Sequence, residues 1–324
     1  MLKSDKIFIA GHKGLVGDAF LRILKSKKYR NIIVKNKDEL DLRNHDAVMN
    51  FFKKNKIDIL LICAAKVGGI LSNLNNPYEF ILYNTKIQNN LFEAAKLYKV
   101  KKTMFMGSSC IYPKFAKNPI NENQLLSGYL EKTNEAYALS KIQGLKTAEF
   151  LIKKMNLDIR CFMPCNLFGY ADKFFDKGNN HVIPALIDRV YDAKLNDLKN
   201  IVIWGDGSPK REFMHADDLA LNILNLLKVS RKFFLKNIGE EYFYNIGSTK
   251  EISIKNLTYK IVKILKFKGN IVFDKTKPNG TLRKFMSKSK IKKLIKVKNQ
   301  NFDLMLKKTI NHYLYLRKKK DELI

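Results

Sequence analysis

The stretch Ile7-Phe8-Ile9-Ala10-Gly11-His12-Lys13-Gly14-Leu15-Val16-Gly17 decides how the rest of the chain is read. Four apolar residues without alternation describe a strand buried on both faces, as in a parallel sheet. They run into glycines at a G-x-x-G-x-x-G spacing and then into a helical pattern over 16–26. Glycine at these points permits a tight turn, close approach of backbone to a pyrophosphate and close helix–strand packing. The helix N-terminus then faces the phosphates. The strand before and the helix after separate this arrangement from an ordinary glycine-rich turn. Gly11, His12, Lys13, Gly14, Leu15, Val16 and Gly17 are therefore candidate cofactor-binding residues.

Working outward, apolar strand-like runs recur at 32–34, 59–63, 103–106 and 159–163, and helical patterns separate them at 45–55, 77–98 and 135–155. This alternation predicts an α/β protein, a Rossmann-like doubly wound parallel sheet. From about Gly169 the rhythm gives way to polar loops, including 172–180, with short strands at 201–204 and 242–246 and a last helix–strand pair at 254–265 and 271–273. The predicted organisation is a cofactor-binding domain over 1–168, to which part of 215–248 returns, and a smaller α/β substrate lobe over 169–324. No internal repeat or flexible linker is visible, so the lobes should pack together.

The 324 residues include 46% hydrophobic and 11% aromatic residues, which excludes a disordered chain. No signal-peptide core and no apolar run of spanning length is visible. Cys63, Cys110, Cys161 and Cys165 lie in or beside apolar segments without C-x-x-C spacing, which reads as reduced thiols of a cytoplasmic protein and not as a disulfide frame or a metal site. The net charge of +31 raises the question of nucleic acid. Only nine of the 61 basic residues are arginine, the lysines are spread over the whole length, and neither Arg forks nor aromatic platforms cluster. The sequence therefore predicts no nucleic-acid partner and no membrane insertion, although a basic surface helps to steer an anionic substrate.

NAD-specific sites place an acid after the second strand to bind the ribose hydroxyls. Here Lys35-Asn36-Lys37-Asp38 stands there. Lys13, Lys35 and Lys37 suit a 2′-phosphate and predict NADP(H), with Asp38 as the dissenting residue. Further on, Asp41-Leu42 either contacts the adenine edge or, for Asp41, caps a helix.

Tyr137 and Lys141 lie four apart in a helical pattern, on one face. A neighbouring ammonium lowers the pKa of a phenol and makes it a useful general acid. The fourth strand ends in Met106-Gly107-Ser108-Ser109-Cys110-Ile111-Tyr112-Pro113, and chemistry gathers at strand carboxyl ends. Ser108 there suits a hydrogen bond to a substrate carbonyl, Tyr137 its protonation, and Lys141 the nicotinamide ribose. With the glycine loop these resemble the Ser–Tyr–Lys set of the extended short-chain dehydrogenases. Ala64-Ala65-Lys66-Val67-Gly68-Gly69-Ile70, Pro164-Cys165-Asn166-Leu167, His181-Val182-Ile183-Pro184-Ala185-Leu186 and Trp204-Gly205-Asp206-Gly207 with Arg211-Glu212-Phe213 bring the resemblance closer, to the GDP-L-fucose synthase family.

That resemblance, over nearly the whole chain, implies a homodimeric GDP-4-keto-6-deoxy-D-mannose 3,5-epimerase and 4-reductase. It implies Cys110 as the base that removes the protons at C3 and C5, His181 as the acid that returns one to the other face, and Tyr137 as the donor to the C4 oxygen. It extends the cofactor set to Met106, Gly107, Ser109, Pro164, Asn166, Leu167 and His181, and assigns nucleotide-diphosphate contacts to Arg189, Trp204 and Arg211. Asn279 stands where the family carries Asp, and Arg283 lies nearby. A sibling enzyme acting on a GDP-4-keto-heptose, with or without epimerisation, is the nearest alternative. An NADP-sensing protein without catalysis is a distant one, opposed by the intact Ser108, Tyr137 and Lys141.

Overall fold

The computed structural model describes residues 1–170, 180–277, 279 and 281–322. Strand β1 (Ile7–Ala10) is followed by α1 (Leu15–Ser26), β2 (Ile32–Ile33), α2 (His45–Lys54), β3 (Ile59–Ile62), α3 (Ile70–Asn75), α4 (Pro77–Leu97) and β4 (Lys102–Met106). Short 3-10 turns lead to α5 (Glu135–Met155), β5 (Ile159–Pro164) and β6 (Asn166–Phe168). Beyond these come α6 (Val182–Leu195), β7 (Asn200–Trp204), β8 (Lys210–His215), α7 (Ala216–Lys228), α8 (Arg231–Lys236) and β9 (Phe243–Ile246). The last elements are β10 (Glu251–Ser253), α9 (Ile254–Leu265), β11 (Asn270–Asp274), β12 (Arg283–Lys284) and α10 (Phe302–Asp321).

Six strands form one parallel sheet in the order β2-β1-β3-β4-β5-β9, the doubly wound arrangement that the alternation predicts. Strands β1, β3 and β5 are buried at every residue because helices cover both faces. Helices α4 and α5 pack on each other, and α1 packs against α7. Phe8 of β1 meets Phe51 and Phe52 of α2 at ring-centroid distances of 4.7 and 5.9 Å. Truncating the buried Phe52 to alanine would cost about 3–5 kcal/mol.

Strand β2 is shorter than the sequence predicts. Its pairing with β1 ends at Phe8↔Ile33, so Val34 leaves this edge of the sheet and leads into the turn 35–39. The order of the strands reverses between β1 and β3, which opens a crevice at their carboxyl ends. A second core gathers Ile187 and Val190 of α6, Ile201 and Ile203 of β7, Leu257 and Ile261 of α9, and Leu306 and Ile310 of α10. Strands β6, β8, β10 and β12 form a separate sheet, which adds Phe168 and Phe213 to this second core, with Asn166 of β6 opposite Phe213 of β8. Among the described residues, no helix is long and apolar enough to cross a membrane.

Candidate active site

At the mouth of the crevice Gly11 adopts φ +90, and a Cβ there would lie 2.6 Å from the Ala64 backbone after β3. At Gly17 a Cβ would meet the Gly11 carbonyl at 2.1 Å. These two glycines are required by contact, one with the neighbouring strand and one with the turn itself. Gly14 caps α1 with extended backbone, and the first-turn amides beyond it have no carbonyl of their own helix to serve. His12 is pushed down first by burial and then by Lys13, so its imidazole is neutral at neutral pH. The Ala64–Lys66 segment across the crevice is held by buried Asn84, which accepts the Lys66 N–H at 2.7 Å and donates to its carbonyl at 3.0 Å.

The turn after β2 differs from its sequence reading. Lys35 donates to Glu39 at 2.8 Å, and the other carboxylate oxygen of Glu39 accepts the Asn36 N–H at 2.8 Å. Lys37 is exposed, and Asn36 Oδ1 is buried without a hydrogen-bond partner. Asp41 neither caps a helix nor stands open: Arg43 binds it in a fork, with contacts of 2.6 to 3.1 Å, and holds its carboxyl down at about 2. Helix α2 takes Asn44 as its cap instead. The Leu42 carbonyl accepts from Asn90 at 2.9 Å.

At the end of β4 the chain passes through Gly107, where a Cβ would run into the Met163 thioether at 2.1 Å. Ser108 caps a short turn over Ser109–Ile111, and its hydroxyl accepts the Cys110 N–H at 3.2 Å. The Tyr137 phenol from α5 lies beside the same hydroxyl, whose influence draws its pKa down. One turn later Lys141 is buried and donates to the Met106 carbonyl at 2.8 Å, with its nitrogen 5.9 Å from the Tyr137 ring centre. Asn134, just before α5, donates to the Cys110 sulfur at 3.3 Å. Its own Oδ1 is buried without a partner.

The electrostatics correct one expectation. The Tyr137 phenol is raised and not lowered, first by burial and then by Cys110, and only the neighbouring Ser108 hydroxyl works the other way. Part of the ring keeps solvent contact, yet its surroundings outweigh that. Lys141 is occupied by the Met106 carbonyl, and burial lowers its ammonium to about 8. Tyr137 thus holds its proton firmly, which suits a donor to an alkoxide.

The structure brings Ser108, Cys110, Tyr137 and Lys141 into one cluster and leaves other predicted residues apart. His181 caps α6 with an exposed side chain, and its carbonyl accepts the Ala185 N–H at 3.0 Å. Arg211 lies on β8, not in a loop as its sequence neighbours imply, because Lys210–Ser253 and Lys210–Arg283 pairing extends the strand. It is partly buried, burial lowers its guanidinium, and its hydrogen bond goes to the adjacent Lys210 carbonyl. Asn166 reaches the same strand by donating to the Glu212 carbonyl at 3.3 Å. Pro164 ends β5, and Leu167 is half-buried in β6.

Arg189 is exposed and donates to the Val202 carbonyl, tying α6 to β7, and Trp204 is exposed at the end of β7. Asn279 Oδ1 accepts the Asp206 N–H at 3.0 Å and braces the turn after Trp204, while Pro278 and Gly280 lie outside the described residues, as does 171–179. Arg283 forks onto Glu251. Sequence reasoning missed Glu39, Asn84 and Asn134. Asn134 carried a signal, an Asn directly before a helix; the other two depend on contacts across 18 residues or on a turn with no motif.

The profile described as "NAD dependent epimerase/dehydratase family" matches residues 7–247. A GDP-L-fucose synthase of Escherichia coli (strain K12) is 40% identical over 90% of this chain and 91% of that protein. GDP-L-fucose synthase 1 of Arabidopsis thaliana is 44% identical over 90% of this chain and 88% of that protein. Among solved structures, a GDP-mannoheptose C4 reductase from Campylobacter jejuni with NADP bound superposes with a TM-score of 0.87 at 32% identity, over 97% of this chain and 99% of that one.

Proposed function

Because the chain belongs to the NAD dependent epimerase/dehydratase family, we propose that one site performs two reactions, 3,5-epimerisation of a GDP-4-keto-6-deoxy-hexose and NADPH-dependent reduction of its C4 ketone. The protein is an epimerase/reductase of nucleotide-sugar biosynthesis that uses a nicotinamide cofactor, and its product is GDP-L-fucose or a close analogue. The observation that carries the two-reaction reading is the meeting of Cys110 with the Ser108–Tyr137 pair on one wall.

The residues present fit NADP. The glycine turn closes too tightly for any side chain at Gly11 or Gly17 and leaves the first-turn amides of α1 for a diphosphate. Buried Asn36 Oδ1 lacks the donor that an adenosine would bring. Lys13 and Lys37, with Lys35, suit a 2′-phosphate. Met106, Gly107, Ser109, Pro164, Asn166 and Leu167 line the carboxyl ends of β4 and β5, toward the nicotinamide end. When bound, NADPH supplies the hydride. Ser108 and Tyr137 hold the C4 carbonyl oxygen, which acidifies the protons at C3 and C5. Cys110 removes them, its sulfur held in place by the Asn134 amide. His181 returns a proton on the opposite face. Tyr137 gives its proton to the C4 oxygen, and Lys141 contributes positive charge as the phenolate forms.

The lobe built on the second core takes the GDP. Arg211, partly buried and bonded to a neutral carbonyl, is the residue best suited to the diphosphate. Trp204 offers a stacking face for guanine; Arg189 and Asn279 shape the strand ends beside it. The exposed apolar face of α4 and α5, with Tyr78 and Leu139 around a cavity of about 370 Å³, is where a second copy would pack to give the homodimer.

The test is to incubate the protein with NADPH and GDP-4-keto-6-deoxy-mannose in deuterated water, following NADPH oxidation and deuterium at C3 and C5 together. Both should occur. Tyr137→Phe should abolish oxidation and keep exchange at a reduced rate, with Ser108 alone on the C4 oxygen, and Cys110→Ala should abolish exchange and keep oxidation; NADPH oxidation without deuterium removes the epimerase half. Likeness to the heptose C4 reductase favours one second reading, reduction of a GDP-4-keto-heptose. Turnover of that substrate alone would establish it.

A further inference from the structure

We propose that the buried Glu212–Lys288 pair is a positioning pair for the sugar nucleotide: it fixes the strand that carries Arg211 against the turn that carries Cys110, without touching substrate itself. The inference rests on the reading of Arg211 as the diphosphate residue and deepens it. Glu212 follows Arg211 on β8, and successive side chains of a strand point to opposite faces. Glu212 is wholly buried and Lys288 nearly so. Lys288 Nζ lies 2.7 Å from Oε1 of Glu212 and 3.6 Å from the Phe285 ring centre. The other carboxylate oxygen accepts the Met286 N–H at 3.2 Å. Among the described residues, neither Nζ nor Oε1 has a hydrogen-bond partner besides the other, so the two charges depend on each other.

What surrounds the pair joins the two ends of the site. The segment 285–287 brackets Ile120: the Phe285 carbonyl accepts the Ile120 N–H at 2.8 Å, and the Ile120 carbonyl accepts the Ser287 N–H at 2.8 Å. That carbonyl also accepts from Asn245 of β9 at 3.1 Å. Asn245 Oδ1 in turn accepts from the Tyr112 hydroxyl, two residues past Cys110. On β8 itself the Glu212 carbonyl accepts from Asn166 at 3.3 Å. A Cβ at Gly247, directly after β9, would come to 2.0 Å from Oε1, so the carboxylate lies against the carboxyl end of the main sheet. Burial presses both partners toward their neutral forms. Such a pair adds little stability over apolar side chains of the same volume; what it can add is a single geometry. Here that geometry is the placement of the diphosphate residue relative to the base at Cys110.

Calorimetric titration with GDP-mannose, a GDP-hexose without the C4 ketone, reads the substrate side, and 5′-ADP reads the cofactor side. Both are measured at pH 8, above the value of about 7 to which burial lifts Glu212. Glu212→Gln keeps the size and the bond from Met286 and removes the charge. The double variant Glu212→Gln/Lys288→Met leaves no charge unpaired and carries the test if the single variant does not fold. In either, GDP-mannose binding should weaken about tenfold, the worth of one misplaced hydrogen bond to a charged group. Binding of 5′-ADP should stay as it was, and deuterium exchange at C3 and C5 should slow at saturating substrate. In the Arg211→Ala background the same changes should add almost nothing to the loss of GDP-mannose binding. A double variant that melts at the original temperature and binds GDP-mannose as the unaltered protein does overturns the proposal and leaves the pair a packing feature. Equal weakening of GDP-mannose and 5′-ADP overturns it too. If Arg211→Ala itself leaves GDP-mannose binding unchanged, the diphosphate reading falls and takes this inference with it; if Arg211→Ala weakens binding and the pair variants do not, only the role of the pair falls.

Discussion

Raising the pH through 8 should slow reduction while leaving isotope exchange running. Lys141 is buried, its nitrogen rests on the Met106 carbonyl, and desolvation brings its ammonium down to about 8. For a lysine the lowered value means that the charge is present below pH 8 and lost above it. At pH 7 about nine molecules in ten carry it, and at pH 9 about one in ten. If the positive charge helps Tyr137 release its proton, kcat/KM for NADPH oxidation should be level below pH 7 and fall about tenfold per pH unit well above 8. Tyr137 adds no limb of its own, since burial raises its phenol further. Removal of C3 and C5 protons by Cys110 does not use Lys141 and should not decline over the same range. The assay is initial-rate NADPH oxidation and deuterium incorporation in parallel from pH 6 to 10 at fixed ionic strength. A flat oxidation profile to pH 10, or the same alkaline limb in both readouts, would refute the assignment of that limb to Lys141.

Gly11→Ala should be the most damaging change in the cofactor turn, because its Cβ meets the Ala64 backbone at 2.6 Å with φ +90. Backbone strain alone is about 1–3 kcal/mol, so thermal unfolding should drop by several degrees and binding of adenosine phosphates should weaken. Asn84→Ala deletes both bonds to the Lys66 backbone; about 1–3 kcal/mol of stability should be lost in urea unfolding, with a raised cofactor KM and an unchanged pH profile. Arg211→Ala should weaken GDP binding about tenfold to a hundredfold by calorimetry while sparing 5′-ADP, and Arg211→Lys should recover only part of it.

The fold was legible wherever burial alone sets the pattern. Strands β1, β3, β4 and β5 are near-continuous apolar runs because both faces of a parallel sheet are covered, and their limits agree within a residue or two of the sequence reading. Strand β2 was overextended because an edge strand has one partner, and its last residue obeys the following turn. In the site, Ser108, Cys110, Tyr137 and Lys141 could be named from motif order, and their clustering follows from the strand-end rule. The direction of the Tyr137 shift could not be read that way. It is set by burial and by Cys110, and a helical spacing reveals neither these nor that the Lys141 ammonium rests on the Met106 carbonyl. Arg283 and Asn279 illustrate the same limit: each has a functional residue type, and each spends its side chain on a neighbour, Glu251 and the Asp206 amide.

On the proposed chemistry, the raised phenol also orders the two half-reactions. The protons at C3 and C5 are acidic only while C4 remains a ketone, so epimerisation has to finish before reduction. A general acid with an ordinary or lowered pKa would compete, since it could pass its proton to the enolate oxygen formed during exchange and release an enol. Tyr137 is held above the usual phenol range by burial and by Cys110, so it stabilises that oxygen through a hydrogen bond while keeping its proton. Ser108 supports the same oxygen and touches the Cys110 amide, so the sugar need not move between steps. Only an alkoxide at C4 is basic enough to take the proton from such a phenol. Burial that looks like a defect in a general acid therefore keeps reduction from closing the reaction early.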